Sequence, residues 1–318
     1  MDISVVVPLF NEVESLPELT AWIDKVLTSR DFSYEIILID DGSNDGSWEL
    51  IEKLCLKNPC IKGIKFRRNY GKSAGLFCGF EQAEGDVVIT MDADLQDSPE
   101  EIPELYRMIT EEKYDLVSGW KKKRYDPFFS KNLPSKFYNW TARRMTGIKI
   151  HDFNCGLKAY RKQVIKSIEV YGDMHRYIPV LAKWAGFKRI GEKVVKHQER
   201  KFGTTKFGME RFIRGPLDLL SVIFISKFSK RPMHFFGVFG TLTFMLGFAA
   251  AVWEGAQKII LTLNNQRAPR ITESPYFYLA LVAMVIGTQL FLAGFLAELN
   301  VRNSTDRNSY LIDQKTNI

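Results

Sequence analysis

Val87-Val88-Ile89-Thr90-Met91-Asp92-Ala93-Asp94-Leu95-Gln96-Asp97 is the stretch whose reading decides the fold. Its first half is apolar and rich in β-branched side chains, which marks a short buried strand. Acids begin where the apolar run stops. The same order recurs upstream. Ile3–Val7 runs into Pro8-Leu9-Phe10-Asn11-Glu12, Glu35–Ile39 into Asp40-Asp41-Gly42-Ser43, and Ile61–Phe66 into Arg67-Arg68-Asn69-Tyr70-Gly71-Lys72. A fifth strand reads at Asp115–Ser118. Helical spacing fills the intervals at 13–28, Asp45–Leu56, Lys72–Ala83 and Pro99–Glu112, the last opening on Pro and acids as a helix N-terminus does. Strands alternating with helices predict an α/β fold with a mostly parallel sheet. Ligands of such sheets bind beyond the carboxyl ends of the strands.

The strand ends are therefore the place to look for chemistry. Asp45 suits a cap for the helix that follows it. Asp-x-Asp sets two carboxylates on one side of an extended segment. Acids at two strand ends, with Asn11-Glu12 at a third, repel one another unless a cation or a donor-rich ligand sits among them. Mg²⁺ and Mn²⁺ take oxygen ligands and bind diphosphates, which fits this set. The four cysteines (55, 60, 78, 155) have no paired metal-ligand spacing and are expected to be reduced. The four histidines are scattered and suggest no zinc site.

A net charge of +7 and a mean hydropathy of −0.14 suggest a soluble chain, but both are averages. Phe235–Trp253 and Pro275–Ala297 contain no Asp, Glu, Lys, Arg or His. Each approaches the ~20 apolar residues of a bilayer span. Trp253, Tyr276 and Tyr278 stand near their ends, as interfacial aromatics do. Two buried core helices are the other reading, although core helices usually keep a polar stripe. No secretory leader is read at the acidic, strand-like N-terminus. Lys227, Lys230 and Arg231 before the first span predict a cytoplasmic N-terminal part and a cytoplasmic tail. Between Gly119 and Lys149 nine Lys or Arg face one acid, Asp126. Such a window attracts anions, and beside two spans lipid headgroups or lipid phosphate are expected rather than nucleic acid. A merely solvated basic face is the alternative. Phe137, Trp140 and Arg144, with Tyr138, Thr141 and Met145, have the spacing of an amphipathic interfacial helix. Gly240, Gly247, Gly287 and Gly294 permit close helix packing, from which a homo-oligomer is expected.

Pro-Leu-Phe-Asn-Glu (8–12), Asp-Asp-Gly-Ser (40–43), Arg-Asn-Tyr-Gly-Lys (68–72) and Asp-Ala-Asp-Leu-Gln-Asp (92–97) resemble the motifs of family 2 glycosyltransferases. In detail the chain is similar to the polyprenyl-phosphate glycosyltransferases, the dolichol-phosphate mannose synthases and their bacterial undecaprenyl-phosphate relatives. The resemblance continues through Asn-Cys-Gly-Leu-Lys-Ala-Tyr-Arg (154–161), His-Arg-Tyr-Ile-Pro (175–179) and Glu-Arg-Lys-Phe-Gly-Thr-Thr-Lys-Phe (199–207). Phe10 stands where Tyr is more usual, and Lys72 where Gln is common.

The resemblance implies a GT-A domain over 1–205, amphipathic juxtamembrane helices over 206–231, and a two-helix membrane part over 232–318 with spans at about 233–255 and 275–298. It implies inverting transfer of one sugar from a nucleotide-diphosphate sugar, UDP-glucose first, to undecaprenyl phosphate on the inner membrane. Pro8, Phe10, Asn11, Glu12, Asp40 and Lys72 would serve the nucleotide sugar, Asp40 at the base and Glu12 near the ribose. Asp92 and Asp94 would be the catalytic acids, with Asp92 toward the donor. Asp94 and Gln96 would hold Mg²⁺ or Mn²⁺. Lys121, Ser135 and Arg143 would take the acceptor phosphate, and Arg200 the donor diphosphate. Asp152 is either a further site residue or a helix cap. Three other readings compete, one of them a transport component, for which two spans make a poor path unless several subunits assemble. A processive polysaccharide synthase would carry Gln-x-x-Arg-Trp and more spans, which this sequence lacks. An anchored binding protein without transfer would have no need of Asp92, Asp94 and Gln96.

Overall fold

The structure is a computed structural model and describes residues 1–122, 139, 143–144, 146–172, 174–198, 201, 232–264, 270–303 and 312–317. The chain divides into two units: 1–222 joined by 306–318, and 223–305.

The first unit is built on one sheet. Its elements are β1 (Ile3–Leu9), α1 (Leu16–Thr28), β2 (Tyr34–Asp40), α2 (Ser47–Lys57), β3 (Ile61–Phe66), α3 (Lys72–Gln82), β4 (Val87–Thr90), α4 (Ile102–Thr110), β5 (Leu116–Trp120), β6 (Lys158–Arg161), α5 (Lys162–Lys166), α6 (Ile178–Trp184) and β7 (Ile190–Val194). A last strand comes from the far end of the chain, at Ile312–Thr316. The strand order is β7-β5-β6-β4-β1-β2-β3, with the last strand beyond β3. β6 runs antiparallel to β4 and β5, and the last strand antiparallel to β3. The other pairs are parallel, as the sequence predicts.

Val5, Val6, Val7 and Ile36 to Ile39 are fully buried, so β1 and β2 are covered on both faces. This is why they read as unbroken apolar runs rather than alternating ones. Leu16, Leu19, Ile23 and Leu27 lay one face of α1 on the sheet. Gly75 lets α3 approach the end of β1; a Cβ there would lie 3.0 Å from the Pro8 Cβ. That approach brings Lys72, the first residue of α3, over the strand ends. Parallel neighbours lie on either side of β1, with connections leaving in opposite directions. This is the switch point at which open α/β sheets bind ligands.

β6, β7 and the terminal strand are absent from the sequence reading. β6 and the terminal strand carry charged or polar residues through most of their length, and β7 has Glu192 and Lys193 at its centre, so none shows a clear apolar period. The boundary expected at 232 also shifts. Residues 312–317 belong with the sheet, where Gly63 pairs with Thr316 and Phe66 with Ile312. Asn317 adds two side-chain bonds, to the carbonyls of Cys55 (3.1 Å) and Ile61 (3.0 Å). β3 would otherwise present an open edge, the feature that invites unwanted strand pairing.

The second unit is a helical hairpin of α7 (Pro232–Leu263) and α8 (Pro275–Asn303). Phe235–Leu263 and Pro275–Ala297 are long and apolar enough to cross a membrane, and only 17% of the apolar window in each is buried. That exposure removes the reading as two core helices. α7 also runs beyond the expected end at 255, past Glu254 and Lys258. The four glycines turn toward the partner helix of the same hairpin. A Cβ on Gly240 would lie 2.7 Å from the Gly287 carbonyl oxygen, and one on Gly247 2.6 Å from that of Ala280. A Cβ on Gly294 would meet Phe236 at 2.6 Å. The feature behind the expected oligomer is thus taken up inside one chain. Gly287→Leu should force the helices apart, at an overpacking cost of about 1–3 kcal/mol. A lowered thermal midpoint of the detergent-solubilised protein, with nucleotide binding intact, is the expected result.

Candidate functional site

A cleft of about 270 Å³ opens at the switch point, lined by Pro8, Leu9, Phe10, Glu12, Asp41, Asn69, Gly71, Lys72, Gly75, Asp92, Ala93 and Asp94. Its wall is made by the turns after β1, β2, β3 and β4. These turns are stitched together. The Asn11 amide donates to Ser43 Oγ at 2.8 Å, and the Asn44 amide donates to Asn11 Oδ1 at 2.9 Å. The Glu12 amide reaches Ser47 Oγ at 3.1 Å. Asn11 has φ 54°, a left-handed conformation that Asn tolerates well. Asp45 accepts from the amide of Ser47, the first residue of α2, at 3.0 Å, but it stands one place before the N-cap, which is Gly46 at φ 90° rather than the expected Asp45.

Neighbouring carboxylates after β2 have different surroundings. Asp40 is fully buried, and burial raises its pKa. Asp41 lines the cleft and accepts the amides of Tyr70 (2.7 Å) and Gly71 (2.8 Å). Burial pushes the Asp41 carboxyl up to about 6 against those two bonds. The sequence reading put Asp40 at the nucleotide; the cleft wall holds Asp41. The strand alternation at the end of β2 was the available signal.

The turn after β4 alternates cleanly. Asp92, Asp94 and Gln96 are half-buried and outward, whereas Ala93, Leu95 and Asp97 are buried. Leu95 takes φ 59°, which is strained for a residue with a branched side chain. Its side chain is 1% exposed, so the core holds it in that state. The result is a row of three oxygen-bearing side chains on one side. The Gln96 amide donates to Asp94 Oδ1 at 3.2 Å, bracing the row.

Asp92 is ion-paired with Lys72. Burial alone would raise its pKa; the charges of Lys72, Lys121 and Lys158 outweigh this and hold it below the ordinary carboxylate range. Lys121 does not stand free in the basic window. Its Nζ is 2.7 Å from Oδ1 of the fully buried Asp97, and despite burial that carboxylate raises its pKa. Asp97 pairs through the backbone with His197, and the Gln198 amide donates to the Gln96 carbonyl at 2.9 Å. Residues 197–198 thus run beside the acidic turn. His175, another residue without an expected role, is half-buried against Ser73, with Nδ1 3.1 Å from Ser73 Oγ. Burial, reinforced by the nearby Lys72 charge, drives its pKa well below that of a free imidazole.

Pro8, Phe10, Glu12, Lys72, Asp92 and Asp94 therefore share one cleft, with Asn11 and Gln96 in the turns that frame it. Arg143 is half-buried, and its carbonyl accepts the Gly147 amide at 2.9 Å. Ser135 and Arg200 lie outside the described residues, as do six of the nine residues of the expected interfacial helix at 137–145 and all of the juxtamembrane stretch at 206–231.

The lining residues include four acids and one cation, Lys72. Such an excess of acids suits a cation, or a ligand that brings one. Asp94 and Gln96 offer a carboxylate and an amide oxygen, hard donors suited to Mg²⁺ or Mn²⁺. Among the described residues no three His, Cys, Asp or Glu side chains converge as a complete metal cage. Few protein ligands is the arrangement of a metal whose remaining positions go to water and phosphate.

The Glycosyl transferase family 2 model matches residues 4–169, from β1 through α5. Dodecaprenyl-phosphate galacturonate synthase of Rhizobium johnstonii is 35% identical over 95% of this chain and 88% of its own. Undecaprenyl-phosphate 4-deoxy-4-formamido-L-arabinose transferase of Aeromonas hydrophila is 34% identical over 98% of this chain and 93% of its own. Among solved structures, mannosyl-3-phosphoglycerate synthase from Rubrobacter xylanophilus superposes with a TM-score of 0.58 at 13% identity, over 71% of this chain and 75% of that one. Glucosyl-3-phosphoglycerate synthase from Mycobacterium tuberculosis, in complex with Mn²⁺, UDP-glucose and glycerol 3-phosphate, gives 0.52 at 17% identity, over 71% and 79%. At those identities the two structures speak for the fold.

Proposed function

The chain belongs to glycosyl transferase family 2 and has the GT-A fold; from that premise we propose that it moves one sugar, with inversion, from a nucleotide-diphosphate sugar to a polyprenyl phosphate at the cytoplasmic face of a membrane. The observation that carries this reading is a cleft with Asp92 and Asp94 at its floor, in a chain that also has two membrane-length helices. Relatives that match nearly the whole chain bear polyprenyl phosphates in their names, which supports the acceptor class.

A phosphate oxygen of the acceptor attacks the anomeric carbon as the bond to the nucleotide diphosphate breaks. The attacking oxygen is already anionic at neutral pH, so little general-base help is required. Positioning and charge carry the catalysis. Asp94 and Gln96 would hold Mg²⁺ or Mn²⁺, which when bound would supply neutralisation of the leaving diphosphate. Lys72 offers a second positive charge in the same cleft. Arg143, with Ser135 and Lys121, remains the proposed acceptor-phosphate set; Lys121 would act from its pair with Asp97. Replacing Arg143 by Gln should raise KM for polyprenyl phosphate about tenfold and leave that for the nucleotide sugar nearly unchanged. The reverse split would remove Arg143 from this role.

Asp41 is the proposed partner of the nucleotide base, accepting a base N–H on its carboxylate. With its pKa raised to about 6, Asp41 is ionised at neutral pH and takes up a proton below 6. Affinity for UDP should therefore fall by about tenfold per unit well below pH 6. Calorimetric titration from pH 5 to 8 tests this. Asp41→Asn should bind weakly and without that slope; an unchanged slope in the variant would exclude Asp41.

The proposed topology, with the catalytic unit and the tail both cytoplasmic, is supported by the chain path. Residues 1–222 and 306–318 belong to one unit, and the hairpin lies between them in sequence. Two crossings return the tail to the side it left, and Lys227, Lys230 and Arg231 favour the cytoplasm. The decisive experiment supplies radiolabelled donors to the purified chain with undecaprenyl phosphate. UDP-glucose comes first, beside the nucleotide forms of galacturonate and 4-deoxy-4-formamido-L-arabinose. A lipid-linked product is expected from one of them. No product from any donor would defeat the transfer reading.

A further inference from the structure

Lys158 is 3% exposed, in the middle of the sheet, paired in register with Thr90 of β4 and Ser118 of β5. Among the described residues it forms no ion pair, and its Nζ donates one hydrogen bond, to the Cys155 carbonyl. An ammonium has three donors and is costly to bury without a partner anion. Burial lowers its pKa, and the carboxylates of Asp152 and Asp92 pull against that. A methionine of similar length would fill the space without the charge. The transfer step described above makes no use of this lysine.

The carbonyl it holds explains its place. Thr90 Oγ1 donates to the next carbonyl, that of Gly156, at 2.8 Å. The Gly119 amide donates to the one after, that of Leu157, at 2.9 Å. Three consecutive carbonyls are thus fixed by Lys158, Thr90 and β5. Gly156, at the centre, lies directly against the Asp92 carboxylate. A Cβ on Gly156 would be 2.6 Å from Asp92 Cγ and 2.8 Å from Oδ1. No side chain fits between them, so the 155–157 backbone is the surface on which Asp92 rests. Lys72 holds the same carboxylate on its cleft side.

We propose that Lys158 is a positioning residue for sugar transfer: with Thr90 it fixes the 155–157 backbone as a rest for Asp92, so that Asp92 keeps its place when Lys72 turns to the donor diphosphate. This rests on the transfer reading above. A rest that shifts by about an ångström is enough to lower the chemical step about 100-fold. It would leave nucleotide binding alone, because Pro8, Phe10, Glu12 and Asp41 come from the ends of β1 and β2 and the turns that follow them.

The full-length protein in detergent, with undecaprenyl phosphate and the donor it accepts, provides the test. Lys158→Met should lose about 100-fold in kcat, keep its affinity for UDP, and unfold at the same or a higher temperature, since a buried charge has gone. A lysine with only a structural role would not give that combination. Thr90→Val should behave in the same way, and Thr90→Ser, which restores the hydroxyl, should recover activity. Equal turnover by wild type, Lys158→Met and Thr90→Val would overturn the proposal. So would a loss of turnover that merely follows a loss of folding and UDP affinity. A wild type that binds UDP but yields no product with any donor sinks the transfer reading, and this inference with it. A wild type that transfers as well as Lys158→Met sinks this inference alone.

Discussion

Asp94→Ala is expected to lower kcat by about 10³-fold, which corresponds to the several kcal/mol a divalent cation contributes at a leaving diphosphate. The protein should still fold. Asp94 is half-buried, and the turn that carries it is anchored by Ala93 and Leu95, at 4% and 1% exposure. Within the protein the variant loses the braced contact from the Gln96 amide at 3.2 Å, among the interactions of this side chain. One part-buried turn bond of that kind is worth about 1 kcal/mol. Circular dichroism and the thermal midpoint should therefore change little while turnover collapses. Mn²⁺ binding, read by electron paramagnetic resonance in the presence of UDP, should weaken in parallel. Full activity of the variant would remove Asp94 from the metal site. Lost activity with Mn²⁺ binding intact would move Asp94 to a different role in the same cleft.

What could be read from the residues alone follows a physical division. β1, β2 and β4 are buried on both faces, so each appears as an apolar run that ends where the chain emerges into the cleft, whereas β3 keeps half-buried Lys62 and Lys65 between its buried residues. The polar residues that emerge there are the ones brought together, from Pro8 to Asp94. Asp-x-Asp-x-Gln on one side of its segment is likewise a matter of backbone period, and Leu95 in the core keeps that period through a strained conformation. Neighbouring carboxylates resist this approach. Asp40 and Asp41 are chemically the same, and only the register of β2 decides which one is sealed beneath the other. Lys121 reads as part of a basic surface, yet its partner Asp97 lies on a different strand end, across a distance no local pattern spans. β6 and the terminal strand are held by partners on either side or by an edge, and their own sequences carry little signal. Lys158 is the extreme case: a lysine in a short motif suggests solvent, and only three strands closing around it put it in the core.

Lys72→Met should lower kcat/KM for the nucleotide sugar by about 10²- to 10³-fold, with no comparable loss of stability. The two consequences separate because of where the pair sits. Lys72 and Asp92 each retain 31% exposure, so water screens their attraction and the pair contributes little to folding. In the cleft the balance differs. Lys72 is the one cation among the lining residues, and the donor arrives with a diphosphate. Its ammonium also stands at the N-terminus of α3, where the backbone dipole already favours an anion. Removing it strips the donor of a positive contact just where charge develops on the leaving group. Lys72→Arg should keep most of the activity, since charge rather than shape is the requirement. Wild-type turnover in Lys72→Met would show that Asp92 needs no partner on the cleft side. Combining Lys72→Met with Lys158→Met then separates the two supports of Asp92. Two lysines acting on one carboxylate from opposite sides should give a double variant that differs from the sum of the single losses, because neighbours in one charge network are not additive. Simple additivity would mean that Lys72 serves the diphosphate alone.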